Sequence, residues 1–278
     1  MSRVSIVIPC YNAGRFLAEA VESALAQTHG DLEIVIVDDG STDAETTRLL
    51  DAADWPRTRV LRQANAGPAA ARNAAIAAAT GECILPLDAD DKIEPSYVEK
   101  ALAVLEARPD VGIVYCKAAK FGAESGPWQL PPYTPDELVI DNVIFITSLF
   151  RKRDWERAGG FNEGLRHGVE DYDFWVRLLS LGLDVVQLDE TLFHYRVQAV
   201  SRTTTFNSQR ERMVETYAEI FRTNVGFYAK NAEVLFRHRF GLYDELALWR
   251  AKYGALDALL TRNPWLKRIA RFAWKLMP

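Results

Sequence analysis

Cysteine is scarce in this chain, and its three copies, Cys10, Cys83 and Cys116, show no metal-ligand spacing and cannot all pair in disulfides. Each lies in or beside an apolar strand-like run, the setting of buried thiols in a reducing compartment. Positive charge is not in excess, and a net charge of −5 gives no overall case for nucleic-acid binding. No stretch reaches the roughly 20 apolar residues that span a bilayer. The N-terminus enters a strand at Val4 with no secretory apolar region before it, so a cytoplasmic protein is expected. No Gly-x-Gly-x-x-Gly follows the first strand, which removes the dinucleotide fingerprint of a dehydrogenase. Fixed-period repeats and low-complexity tracts are also missing.

What remains is an ordinary folded composition, 49% hydrophobic and 26% charged, long enough to bury a sizeable core. Between residues 4 and 116, β-branched apolar runs alternate with stretches of helical period, which predicts βαβ units and a largely parallel sheet. Strands are expected over 4–8, 32–37 and 59–61, and Thr42 and Glu45 stand at capping-box spacing before the second helix. An alanine-rich helix over 67–80 leads to Cys83-Ile84-Leu85-Pro86. Directly after that strand comes Leu87-Asp88-Ala89-Asp90-Asp91. Two aspartates at i and i+2 project the same way from an extended chain and can reach one hard divalent cation, leaving positions for phosphate oxygens. The alternative is an acidic turn that merely ends a strand. Residues 126–133, rich in proline and glycine, predict a surface loop. A helix over 168–181 and a strand from 184 follow, and from about 207 the chain reads as helical.

Pro9-Cys10-Tyr11-Asn12 ends the first strand, and Val37-Asp38-Asp39-Gly40-Ser41-Thr42-Asp43 ends the second. Adjacent parallel strands place both turns on the edge that carries the acids, so three loops converge on one crevice. Asp39 can accept the N–H of a pyrimidine while Tyr11 stacks on its face; alone, each reads as a turn residue. Together with Asn65-Ala66-Gly67-Pro68 and Ala71-Arg72-Asn73, these segments resemble family 2 glycosyltransferases of the GT-A fold over about the first 200 residues. The resemblance implies an α/β fold, Rossmann-like, with a mostly parallel central sheet flanked by helices. It implies transfer of a hexosyl or N-acetylhexosaminyl group, with inversion, from a nucleotide-diphosphate donor, UDP-sugar ahead of dTDP-sugar. The acceptor would be a hydroxyl of a saccharide or lipid-linked glycan in bacterial surface polysaccharide synthesis. On the same basis Pro9, Tyr11, Asn12, Asp39, Arg72, Asp88 and Arg196 serve the donor, and Asp90 holds Mn²⁺ or Mg²⁺.

A second block, Gly159-Gly160-Phe161-Asn162-Glu163 and then His167-Gly168-Val169-Glu170-Asp171-Tyr172-Asp173-Phe174-Trp175, looks like the family's acceptor-side signature. Inverting transfer needs a carboxylate to take the acceptor's proton. Asp171 matches the family position, although on physics alone Glu170 or Asp173 serves as well, since helical residues about 100° apart cannot all face one crevice. Glu170 and Trp175 are placed at the acceptor, with a core position the competing reading for Trp175. Many family members carry histidine where this chain has Gln198, which leaves the third metal ligand open, and His194 is a weak substitute. A GT-A domain is expected over 1–205, its donor half to about 120 and its acceptor half from 121, followed by a helical extension over 206–278. The basic amphipathic stretch 262–277 fits either an anionic membrane surface, at the inner face of the cell membrane, or a helix packed on the domain. The rivals are an Asp-x-Asp metal-dependent phosphatase and a non-catalytic subunit that binds nucleotide-sugar.

Overall fold

The computed structural model describes residues 2–199 and 201–267. In its first half β1 (Val4–Cys10), β2 (Leu32–Asp38), β3 (Thr58–Arg62) and β4 (Cys83–Pro86) alternate with helices α1 (Gly14–Leu25), α2 (Ala44–Asp51) and α3 (Pro68–Ala78). Every residue of β2 is buried, which is why these strands are apolar throughout instead of alternating. On α1, Leu17, Ala20, Val21 and Ala24 form the buried stripe, and the alanines of α3 let that helix lie close against the sheet.

The second half contains β5 (Lys92–Ile93), α4 (Tyr97–Ala107), β6 (Val111–Gly122), β7 (Gly126–Trp128), α5 (Pro135–Ile140), β8 (Leu149–Arg151), α6 (Lys152–Ala158), α7 (Glu170–Leu179) and β9 (Asp184–Val197). The sheet runs β3-β2-β1-β4-β8-β6-β9-β5, with β7 on the flank of β6. The expected parallel pairing holds from β3 to β4. Beyond β4 the sheet is mixed, because β8 enters antiparallel to both β4 and β6, while β6 and β9 run parallel. The predicted surface loop also contains regular structure, since 126–128 pair with β6.

Register brings the loops together. Cys10 lies opposite Asp38, Asp39 donates its N–H to the Cys10 carbonyl at 2.8 Å, and Leu87 donates to the Val7 carbonyl at 2.9 Å. From β1 the strand order proceeds outward to β3 and then returns to β4 on the other flank. That is the switch point where an open α/β sheet leaves a crevice at its carboxyl edge.

The expected boundary near residue 205 moves to 230, since the first compact unit extends to Lys230. Helices α8 (Arg202–Asn207), α9 (Arg210–Thr223) and α10 (Val225–Lys230) belong to it. Phe206, Ile220 and Tyr228 are buried, Asn224 donates to Asp173 at 2.8 Å, and the hydroxyls of Tyr228 and Tyr172 meet at 3.1 Å. The second unit starts at Asn231 and contains the 31-residue α11 (Ala232–Arg262). Most of the basic stretch expected at 262–277 lies outside the described residues.

The helix caps shift by one residue. Asp43, not Thr42, caps α2, accepting the Thr46 N–H at 2.8 Å, because Thr42 is held by Asn12. Gly40 has φ +72°, and a Cβ there would stand 2.7 Å from the Asn65 backbone nitrogen. Gly40→Ala should therefore destabilise the fold by about 1–3 kcal/mol through strain and clash, read as a lower urea midpoint with an unchanged slope.

Candidate active site

Two of the three loops are stitched together by Asn12, whose backbone is left-handed at φ 51°. Its Oδ1 accepts from the backbone N–H groups of Thr42 (2.8 Å) and Asp43 (3.2 Å), and its Nδ2 donates to Thr42 Oγ1 at 3.2 Å. Asn12, expected at the donor, thus ties the end of β1 to the turn after β2. Asp39 is buried and accepts from Ala66 N and Gly67 N, both at 2.9 Å, and from Gln63 Nε2 at 2.7 Å. It fastens the Asn65-Ala66-Gly67 turn to the end of β2. Pro9 is half-buried in β1 opposite Val37, while the Tyr11 ring is 50% exposed and free to stack.

The third loop meets α7 through Arg72. This side chain, 1% exposed, donates from Nη2 to Asp88 Oδ1 and from Nη1 to Glu170 Oε1, both at 2.6 Å. Arg202 adds a bond to the same Glu170 oxygen at 2.8 Å. Burial pushes the Glu170 carboxyl up, but the charges of Arg202 and Arg72 outweigh it and hold the group at about 2. Glu170, expected at the acceptor, is therefore held as a paired anion between two arginines, and it lines the same cavity as Asp171. Asp173 is likewise occupied by Arg177 at 2.7 Å and by Asn224. Asp171 differs. Half-buried, it forms no ion pair among the described residues and accepts only the Tyr172 N–H at 2.8 Å. Burial and the neighbouring Glu170 charge raise it to about 6. Immediately before this turn Val169 sits at φ 56°, a left-handed conformation that strains a β-branched residue.

The acid cluster divides its members. Asp88 faces Arg72. Asp91 is buried and accepts the Arg196 backbone N–H at 2.7 Å. Asp90 accepts from Gln198 Nε2 at 2.6 Å, and Arg15 donates to the other end of that amide at 2.8 Å. Burial, then the charge of Asp88, raises Asp90, and burial with the charges of Asp90 and Asp88 raises Asp91 further. Among the described residues no group of three or more His, Cys, Asp or Glu side chains is arranged to hold a metal. A crowded carboxylate cluster that resists ionisation nonetheless fits an added divalent cation, which would relieve its repulsion. His194 bonds Glu94 at 2.7 Å instead of joining the cluster. Arg196, expected at the donor, is engaged within the protein: its guanidinium lies over the rings of Phe16 (4.5 Å) and Phe121 (4.3 Å), donates to the Asp90 carbonyl at 2.7 Å and pairs with Glu19.

Asp88, Asp91 and Asp171 line one cavity of about 200 Å³ together with Arg72, Glu170 and Arg202, and Trp128, Phe145, Phe193 and Tyr195 give part of its wall an aromatic surface. A larger hollow of about 760 Å³ beside α3 and α6 shares none of these residues. Trp128 packs 4.6 Å from Tyr195 and 6.0 Å from Phe145, ring centre to ring centre.

With that geometry established, sequence comparison gives the family. The profile described as "Glycosyl transferase family 2" matches residues 5–150. The chain belongs to this family. Relatives of family 2 include a protein named chondroitin synthase from Escherichia coli, 37% identical over 64% of this chain but only 27% of its own length. An uncharacterised glycosyltransferase, YibD, from the same species is 30% identical over 86% of this chain and 65% of its own. The chain spans about a quarter or less of the synthases that it matches. Two solved structures share the GT-A fold. TarS from S. aureus in complex with UDP-GlcNAc has a TM-score of 0.66 at 21% identity, covering 85% of this chain and 72% of that one. A mannosyltransferase from Pyrobaculum calidifontis, in complex with GDP-Man and Mn²⁺, scores 0.62 at 19% identity, covering 98% and 84%.

Within this family 2 chain, Trp175 is not at the acceptor. It is fully buried, donates its indole N–H to the Ile144 carbonyl at 3.0 Å and packs on Phe150, since its face of α7 is the core face. Trp128 takes the cavity wall instead, a residue missed because proline and glycine around it read as loop. A tryptophan within a proline- and glycine-rich stretch was the signal available. Arg202 joins the site through its pairing with Glu170. Arg72→Ala should cost roughly 3–5 kcal/mol, since it strands Asp88 and Glu170 without their shared cation. The expected readout is a fall in thermal midpoint far beyond that of Arg202→Ala. Because Glu170 lies at about 2 in the fold, below its unfolded value, its contribution is present at neutral pH and disappears as pH falls toward 2.

Proposed function

We propose that this protein is a divalent-cation-dependent inverting glycosyltransferase. It would transfer a sugar from a nucleotide-diphosphate donor, with UDP ahead of dTDP, to a saccharide hydroxyl. The observation that carries this reading is Asp171: one carboxylate with no arginine paired to it, raised to about 6, in a cavity shared with Asp88 and Asp91 and walled in part by aromatic rings. Apolar rings suit the carbon face of a sugar, and a base poised near the working pH suits proton removal. Support for the donor comes from relatives, one solved with UDP-GlcNAc and another with GDP-Man and Mn²⁺. Support for a glycan acceptor comes from synthases of chondroitin and hyaluronan and from a succinoglycan biosynthesis protein.

The chemistry follows from the residues. Tyr11 stacks on the base, and Asp39, with lone pairs beyond those its three donors use, accepts the base N–H. Asp88 orients the ribose or sugar while Arg72 fixes its direction. Asp90, with the Gln198 amide beside it, would hold the cation, which when bound neutralises charge on the departing diphosphate. Asp171 takes the proton of the acceptor hydroxyl as that oxygen bonds to the anomeric carbon and the bond to the diphosphate breaks on the opposite face, releasing nucleoside diphosphate. A phosphatase would use a strand-end aspartate as nucleophile. Here Asp88 and Asp91 are both already engaged, by Arg72 and by the Arg196 N–H.

Release of UDP from UDP-sugars on addition of saccharide acceptors, with and without Mn²⁺, tests the reading; no turnover with any donor and acceptor overturns it. The rate should fall below about pH 6, where Asp171 becomes protonated. Asp171→Asn should abolish transfer while leaving the donor-induced thermal shift nearly intact. A carboxyl raised in the fold destabilises it once ionised, so the same substitution should raise the melting temperature at pH 7.5 and lose that gain near pH 4.

A further inference from the structure

Helix α11 raises a problem of its own. It runs for 31 residues with none of them buried, although long helices in water are held by packing of an apolar face, not by propensity alone. That face exists. Leu242, Leu246, Trp249, Tyr253, Leu256 and Leu260 follow one another at alternating spacings of four and three residues. At 100° per residue they fall within about 80° of arc, and the first five are between 39% and 54% exposed. Leu235 extends the stripe toward the N-terminus, and the intervening Arg239 folds aside to donate to the Tyr243 hydroxyl at 3.0 Å. The spacing is that of a coiled-coil seam, with Leu242, Trp249 and Leu256 at d positions and Leu246, Tyr253 and Leu260 at a positions.

The charges beside the stripe identify what covers it. Glu245 and Lys252 flank one edge as g positions, and Arg250 and Asp257 flank the other as e positions. All four are exposed and form no ion pair among the described residues. In a parallel, in-register pair each g residue faces the e residue five positions on in its partner. Glu245 then meets Arg250 of the second copy, and Lys252 meets its Asp257. Two-fold symmetry makes four attractive pairs with no repulsive one. An antiparallel pair brings g to g and e to e. Matching Glu245 with Lys252 then requires one register, and matching Arg250 with Asp257 requires another, ten residues away in the sum of paired positions. Only the parallel arrangement satisfies both edges.

We propose that α11 is a homodimerisation helix that forms a parallel coiled coil with a second copy of this chain. Its consequence is two catalytic units held in one assembly, which favours a multivalent acceptor by raising effective concentration.

The test is sedimentation equilibrium of the full chain with charge-reversed variants. The expected species is twice 31.3 kDa, dissociating on dilution. The double substitution Glu245→Lys with Lys252→Glu places like charges opposite one another and should raise the dimer Kd roughly tenfold or more. Adding Arg250→Glu and Asp257→Lys restores the pairing and should restore the dimer. All four sites are exposed, so the melting of the monomer serves as a folding control. Leu256→Cys, at a d position, should cross-link the dimer on mild oxidation, since parallel chains bring identical d residues together. A monomer at every concentration, a dimer indifferent to charge reversal, or failure of the cysteine pair to cross-link would each overturn the proposal. So would a monomeric protein that sediments with anionic vesicles and loses them on Trp249→Glu, which would assign the face to lipid.

Discussion

One buried guanidinium joins the two halves of the catalytic unit. Arg72, from the first helix that follows β3, reaches Asp88 at the end of β4 and Glu170 at the start of α7, 98 residues further on. Charges this deep are costly unless paired and hydrogen-bonded, and here two acids share the cation while Arg202 supplies a second one. The pairing is incomplete: Arg72 Nε and Glu170 Oε2 remain buried without partners. Such residual cost is tolerated where an arrangement serves chemistry instead of stability.

The same network sets the character of its neighbour. Glu170 stays ionised because two arginines outweigh its burial, and its persistent negative charge is among the causes that raise Asp171. Adjacent carboxylates in one helical turn are thereby driven apart, one held as a structural anion and the other left able to exchange a proton near neutral pH. Separation of this kind is how paired acids acquire different roles. The acid cluster after β4 is sorted in the same way, each aspartate having a different partner, and Gln198 joins it from the end of β9. A glutamine amide presents either an oxygen or a nitrogen, so it accommodates Asp90 whether the carboxylate is protonated, ionised or shared with a cation.

Much of the first half of the chain was legible in the sequence because its signals are local. Apolar β-branched runs specify buried strands wherever they stand, and the Gly67-Pro68 pair marks a helix start through backbone preferences alone. Once β1, β2 and β4 are adjacent and parallel, their loops must meet, so Tyr11, Asp39 and the aspartates converge without further instruction. The second half was less legible. Trp175 and Trp128 differ in burial for reasons that lie in α7 and β6, not in their own neighbours. Arg196 looked like a phosphate ligand until Phe16, Phe121 and Glu19, from distant elements, claimed it. The domain boundary moved because a few apolar residues of α9 and α10, spaced among charges, dock on α7.

The sequence by itself determined the strand and helix succession of the first half, the meeting of the β1, β2 and β4 ends on one edge, and the membership in glycosyltransferase family 2, since each depends on short-range pattern. It also carries the charge order along α11, which is a property of one helix face. Only the tertiary structure decided which of Glu170, Asp171 and Asp173 is left unpaired, which tryptophan faces the cavity, and that Gln198 stands at Asp90. Those outcomes depend on contacts between residues up to about a hundred positions apart, and the free energy of a charge or a ring depends on the partners it meets there, not on the residues beside it in the chain.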